Sequence, residues 1–111
     1  MPIVIETWAV VGDEAAARES AALWRFVPKS WEKYVDIPDP REIQREAEAE
    51  VPLEEVYKDW AVGTDAATHV KALQELVDLG ASHIFVHSPQ ADLERMIDFY
   101  GREVLPRFRE R

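Results

Sequence analysis

The stretch from Trp60 to His87 constrains the fold of this chain more than any other. A short apolar run ends at Gly63, Thr64-Asp65 opens a helix, Gly80 closes it, and a second apolar run ends at His87. Val70, Leu73, Leu76 and Val77 recur at helical spacing, and a glycine just beyond such a stripe is the usual left-handed C-terminal residue. This pattern is the helix-to-strand half of a β/α repeat. In open α/β sheets and in β/α barrels, ligands gather at the carboxyl end of the strand, where His87 falls.

The flanking segments supply the remaining elements. Pro2–Val11 is nearly continuous in apolar residues, interrupted at Glu6-Thr7, as expected of a strand buried on both faces of a parallel sheet. Asp13 is placed to cap a helix from Glu14 to about Phe26, with Ala17, Ala21, Leu23 and Trp24 inward and Pro28 ending it. Three prolines make 27–40 irregular. Asp39-Pro40 has the character of a cap and first helical residue for a polar helix to about Glu50, with Ile43, Ala47 and Val51 inward. A short helix, Leu53–Tyr57, leads into Trp60-Ala61-Val62, whose pattern leaves strand and loop both open. Ser88-Pro89 predicts the start of a last helix with Leu93, Met96, Ile97, Tyr100 and Val104 inward and Pro106 ending it. The basic end, Arg107–Arg111, suits the dipole of that helix. The order implies an α/β fold with parallel strands joined by right-handed crossovers, in one domain covering 1–111. A sheet this narrow leaves exposed edges and is marginal alone.

Charge narrows the partners. Lys and Arg total 13 against 22 Asp and Glu, a net charge of -9 concentrated in the Glu-rich stretch 41–55. Such a surface repels phosphate backbones, so nucleic acid is not an expected partner. With no cysteine there is neither a disulfide nor a thiolate metal site. No apolar run reaches the roughly 20 residues that span a bilayer, and the amino terminus lacks the pattern of a signal peptide. Neither membrane association nor export is expected, and a cytoplasmic place is.

Three segments, Asp39–Ile43 (DPREI), Val51–Asp65 (VPLEEVYKDWAVGTD) and Val77–Arg109 (VDLGASHIFVHSPQADLERMIDFYGREVLPRFR), resemble the carboxyl-terminal part of the luciferase-like monooxygenase superfamily. Within it they are most similar to oxidoreductases of the glucose-6-phosphate dehydrogenase-like group that use the deazaflavin coenzyme F-420. The resemblance implies a partial (β/α) barrel: the last two β/α units, with extra helices between them. Ile3–Val10 would be the seventh strand and Ile84–His87 the eighth, and Ala61–Gly63 a connecting segment. It also implies hydride transfer to or from an alcohol or aldehyde, with deazaflavin or FMN as cofactor. The family's catalytic histidine, acid/base glutamate and most cofactor contacts lie in the amino-terminal half, which this chain lacks. The chain alone is therefore expected to be inactive, and possible cofactor contacts from it alone are few or none. In the sugar-phosphate enzymes a lysine before the DP motif contacts substrate phosphate, and Lys33 matches it. An arginine before the later tryptophan does so too, and here that position is Asp59.

Among the residues themselves, Glu6, Trp8 and His87 are the pocket candidates. A carboxylate on an apolar strand suits acid/base work if buried, and equally suits pairing with a neighbouring arginine. His87 sits at the strand's carboxyl end, where it either meets ligand or hydrogen-bonds the adjacent loop. His83 lies at the opposite end, and His69 beside the helical stripe reads as surface. His83 and His87 stand about 13 Å apart along a strand, too far to share a metal, so no metal site is expected. Lys33, with Lys29 and Arg25 nearby, could form an anion site or a solvated patch. Trp8, Trp24, Trp31 and Trp60 read as core or interface rather than a stacking platform.

Two functions compete: a piece of a deazaflavin oxidoreductase, and a cofactor-free homo-oligomer held by exposed strand edges and tryptophans. If the first strand forms such an interface, a lysine at Val4 or Val10 breaks it, and light scattering reads a fall in mass.

Overall fold

The computed structural model describes residues 1–108; Arg109–Arg111, the end of the expected basic tail, lie outside the described residues, as do the side chains of Ser30 and Trp31. Three parallel strands form one sheet in the order β2-β1-β3: β1 Val4–Val11, β2 Ala61–Gly63 and β3 His83–His87. Register pairs Val4 with His83 through Trp8 with His87, and Ala9 with Ala61 through Val11 with Gly63. The segment Ala61–Gly63 is thus a third strand rather than a connection. Its Gly63 carbonyl accepts the Gly12 N–H at 3.2 Å, extending the ladder past the end of β1.

Among the described residues, α1 Glu14–Leu23, α2 Pro40–Glu50 and α3 Leu53–Tyr57 connect β1 to β2, α4 Ala66–Asp78 connects β2 to β3, and α5 Leu93–Phe99 follows β3. Aspartates begin most of them. Asp13 accepts from the Ala16 N–H, Asp39 from Arg41, Asp65 from Thr68 and Asp92 from Arg95, each satisfying an amide that the first turn leaves free. The start expected at Ser88-Pro89 moves to Leu93. Gln90 is the reason: its amide accepts the Val11 N–H at 2.7 Å and donates to the Val11 carbonyl at 3.4 Å. The loop must stay extended to make that pair.

Strand alternation divides the sheet into two faces. Ala9 and Val11 point with Ala61, Ile84 and Val86 into a core closed by Leu73 of α4, Met96 of α5, Tyr100 and Val104. The chain leaves α5 through a π-helical turn at Tyr100–Val104 and a 3₁₀ turn at Leu105–Arg107. Met96, Tyr100 and Val104 therefore line up inward, four residues apart, and Leu93 and Ile97 face outward, against expectation. Leu23 is exposed as well, because α1 buries the stripe Ala17, Ser20 and Ala21. A second core under α1 and α3 joins Ala21, Val51 and Val56 to Trp24, Leu53, Tyr57 and Trp60.

The opposite face carries Val4, Glu6 and Trp8 beside His83, Phe85 and His87. Val4 is 57% and Phe85 64% exposed, so the expectation of burial on both faces holds only for the carboxyl half of β1. β1 is central, but β2 pairs only with Ala9–Val11, so the β2-facing edge of Val4–Trp8 is left without a strand partner among the described residues. Val10 is wholly buried, so a lysine there would place a charge in the core rather than test an interface. No helix among the described residues is long and apolar enough to cross a membrane.

The end of α4 is set by one backbone conformation. Gly80 has φ +107°, its N–H bonds the Val77 carbonyl at 2.9 Å, and the Ala81 N–H bonds that of Leu76 at 3.1 Å, the paired closure of a Schellman motif. Gly80→Ala is expected to cost about 1–2 kcal/mol, read as a lower urea midpoint with unchanged slope.

Candidate functional site

Register brings two expected site residues together. Trp8 of β1 lies opposite His87 of β3, and their rings meet with centroids 4.3 Å apart. Trp24, at the end of α1, approaches Trp8 edge-on at 5.2 Å and His87 at 5.5 Å. Trp60, entering β2, stacks on Trp8 at 5.5 Å with 9° between the planes. Four rings from four segments thus converge on the carboxyl half of the sheet. Offset and edge-on arrangements of this kind add about 0.5–1.5 kcal/mol per pair beyond buried area.

Beside this cluster opens a cleft of about 700 Å³ lined in part by Glu6, Trp8 and Trp60. Five carboxylates line it (Glu6, Glu32, Glu50, Glu55 and Asp59) against the ammonium groups of Lys29 and Lys58. Glu6 is exposed and has no ion pair among the described residues. Asp59 stands on the cleft wall next to Trp60.

Lys33 does not line the cleft. Its ammonium donates to Glu50 Oε1 at 2.9 Å, and Tyr34 Oη donates to Glu50 Oε2 at 3.3 Å. The hydrogen bond that Lys33 donates to Glu50 raises the Lys33 pKa, and the same bond lowers that of Glu50. Burial, then the Glu50 charge, raises that of Tyr34. Lys33 is thus engaged by a carboxylate. Arg25 turns to the Val51 carbonyl, 3.0 Å from its Nε, and Lys29 alone of the three basic residues lines the cleft. His83 bonds the adjacent Ser82 hydroxyl at 3.1 Å.

The histidine read as surface is the most buried polar residue among the described residues. His69 has no exposed area; its Nε2 lies 2.9 Å from the Gly63 carbonyl and its Nδ1 2.7 Å from Tyr100 Oη. A carbonyl only accepts, so Nε2 carries the proton, and in the neutral ring Nδ1 accepts from the tyrosine hydroxyl. The spacing held a signal: His69 stands four residues before Leu73 and seven before Leu76, on the same stripe.

No family model matches the chain. Relatives do. The F420-dependent hydroxymycolic acid dehydrogenase of Mycobacterium tuberculosis is 49% identical over 94% of this chain and 27% of its own length. The F420-dependent glucose-6-phosphate dehydrogenase of Microbacterium testaceum is 36% identical over 89% of this chain and 29% of its own. The chain is related to the F420-dependent dehydrogenases. It spans under a third of the length of these curated relatives. Among solved structures, an F420-dependent secondary alcohol dehydrogenase in complex with an F420-acetone adduct superposes with a TM-score of 0.74. The match is at 24% identity and covers 95% of this chain and 32% of the other, so it shows a shared fold.

Burial raises the Tyr100 hydroxyl above its ordinary value near about 10. A group raised in this way stabilises the fold fully below its unfolded value, and that contribution disappears as pH rises toward the folded one. Tyr100→Phe leaves His69 Nδ1 without its donor and is expected to cost about 1–3 kcal/mol at neutral pH. Urea titrations should show that deficit shrinking as pH climbs beyond about 10, where the parent loses its advantage.

Proposed function

We propose that this chain is the carboxyl-terminal portion of an F420-dependent oxidoreductase of (β/α)₈ type. In the complete enzyme a hydride passes between the deazaflavin and an alcohol or aldehyde. The observation that carries this reading is the 49% identity over 94% of the chain to an F420-dependent dehydrogenase. The names of the relatives favour deazaflavin over FMN.

The sheet supports the same reading. In a β/α barrel one face of every strand meets the outer helices and the other fills the interior. Here α4 and α5 cover one face, and Val4, Glu6 and Phe85 stand exposed on the other. On this reading Trp8, Glu6 and His87 are interior residues near the mouth. Lys33 has a place at the substrate side only if it leaves Glu50.

The residues present do not by themselves fit a flat tricyclic cofactor. Trp8 and His87 offer one wall, and the exposure of Val4 and Phe85 supports the reading that the facing wall comes from the rest of the barrel. The chain alone is accordingly inactive, as one folding unit that needs the remaining barrel. The exposed Val4 and Phe85 also favour a second reading, a cofactor-free homo-oligomer that covers this face with its own copies.

A chimera decides between them. This chain, replacing its matching segment in the Mycobacterium tuberculosis dehydrogenase, is expected to bind F420 and support its reduction, with the isolated chain doing neither. A folded chimera that binds no F420, or turnover by the isolated chain, would sink the reading. A colourless oligomer of defined mass would support the second.

A further inference from the structure

We propose that the open edge of β1 is the seat of one further strand, supplied by the amino-terminal portion of the enzyme, and that this strand presents a basic side chain to Glu6. The proposal rests on the oxidoreductase reading above and names what meets the unpaired side of this strand.

The main chain defines the edge. Along a strand, successive residues direct their N–H and C=O groups to opposite sides. The Ile3 carbonyl accepts from Ser82 and His83 on the β3 side, and the Gly12 N–H donates to Gly63 on the β2 side. Alternation therefore turns Val4 and Glu6 to the β2 side, and β2 reaches only Ala9–Val11. The chain before β2 does not close the gap. Trp60 stacks on Trp8, and Lys58 and Asp59 line the cleft instead of pairing with β1. From Val4 to Trp8, over about 13 Å, a central strand thus keeps unpaired donors and acceptors of the kind that template strand addition. The cleft of about 700 Å³ lies beside this stretch, with Glu6, Thr7 and Trp8 on its wall.

Glu6 decides what the added strand carries. It is exposed and has no ion pair among the described residues. A strand laid alongside takes its carboxylate out of water, and a buried charge without a partner is costly. The surroundings give little relief. The cleft holds four more carboxylates, Glu32, Glu50, Glu55 and Asp59, and of its two lysines Lys58 is paired with Glu55 at 3.0 Å. The balancing charge has to arrive with the strand, as a lysine or arginine beside Glu6. The same charge argues against a second copy of this chain. Two β1 edges meeting at their centres set Glu6 against Glu6, and like charges directly opposite destabilise a pair of strands.

The probe is an acetylated, amidated pentapeptide of alternating valine and lysine, titrated into the isotope-labelled chain while the amide resonances of Val4 and Glu6 are followed. Both are expected to shift saturably, and their hydrogen exchange to slow at least about tenfold at saturation. The glutamate counterpart should leave them in place. So should the lysine peptide methylated on its main-chain nitrogens, which keeps the charge and cannot form the ladder. E6Q should weaken binding of the lysine peptide at least about fivefold. In the chimera, where the neighbouring strand is present, E6Q should lower the urea midpoint, and in this chain alone it should leave it unchanged. A lysine peptide without effect on these amides, equal binding of the methylated or glutamate peptide, or an E6Q chimera as stable as its parent would each overturn the proposal. Amides that shift on concentrating the chain alone would overturn it in favour of a second copy. None of these results touches F420 binding by the chimera. Peptide behaviour as expected beside a chimera that binds no F420 would overturn the oxidoreductase reading and the source of the strand, and would keep the site.

Discussion

The hydrogen bonds of one buried imidazole hold the sheet to its helices. His69 spans from the Gly63 carbonyl to the Tyr100 hydroxyl, and the same carbonyl receives the Gly12 N–H. That arrangement joins the end of β1, the end of β2, α4 and the π-helical turn in one connected set. A buried imidazole with either nitrogen unsatisfied costs free energy, so the set is stable only when all its members are in place. The short β2, with three residues in register, gains from this what its length denies it. Its position in turn brings Trp60 onto Trp8 and fixes one wall of the cleft.

Much of the fold was legible where local chemistry and global packing agree. The helices at Pro40–Glu50 and Leu53–Tyr57, the strand at His83–His87 and the closure at Gly80 follow from caps, periodicity and a glycine whose conformation no other residue adopts readily. The failures share a cause: each depends on a partner far away in sequence. Ala61–Gly63 is a strand because β1 lies alongside it, and three residues carry too little pattern to say so. Ser88-Pro89 looks like a helix start, and loses that role because Gln90 reaches back to Val11. His69 looks polar and hence exposed, until Tyr100 and Gly63 supply its two partners.

The candidate site divides in the same way. Trp8 and His87 were visible as candidates from their places on strands, and parallel register set them against each other. Lys33 was visible only as a cation. Its engagement by Glu50, across an irregular segment and a helix, required the three-dimensional path of 27–50. Charge count foretold an acidic surface, but not that five of its carboxylates line one cleft with two indoles.

The two ends of β1 are fastened by residues equally remote in sequence. Ile3 N–H donates to the Ser82 hydroxyl, Val11 N–H to the Gln90 amide, and both links join positions 79 apart. Closing a loop of that length costs about 4 kcal/mol of chain entropy before either contact repays it. The central strand therefore depends on partners far along the chain to find its place. A chain built on this clasp folds at the pace of a long-range search, and its apolar β1 stays uncommitted until the segment from Ser82 to Gln90 reaches it.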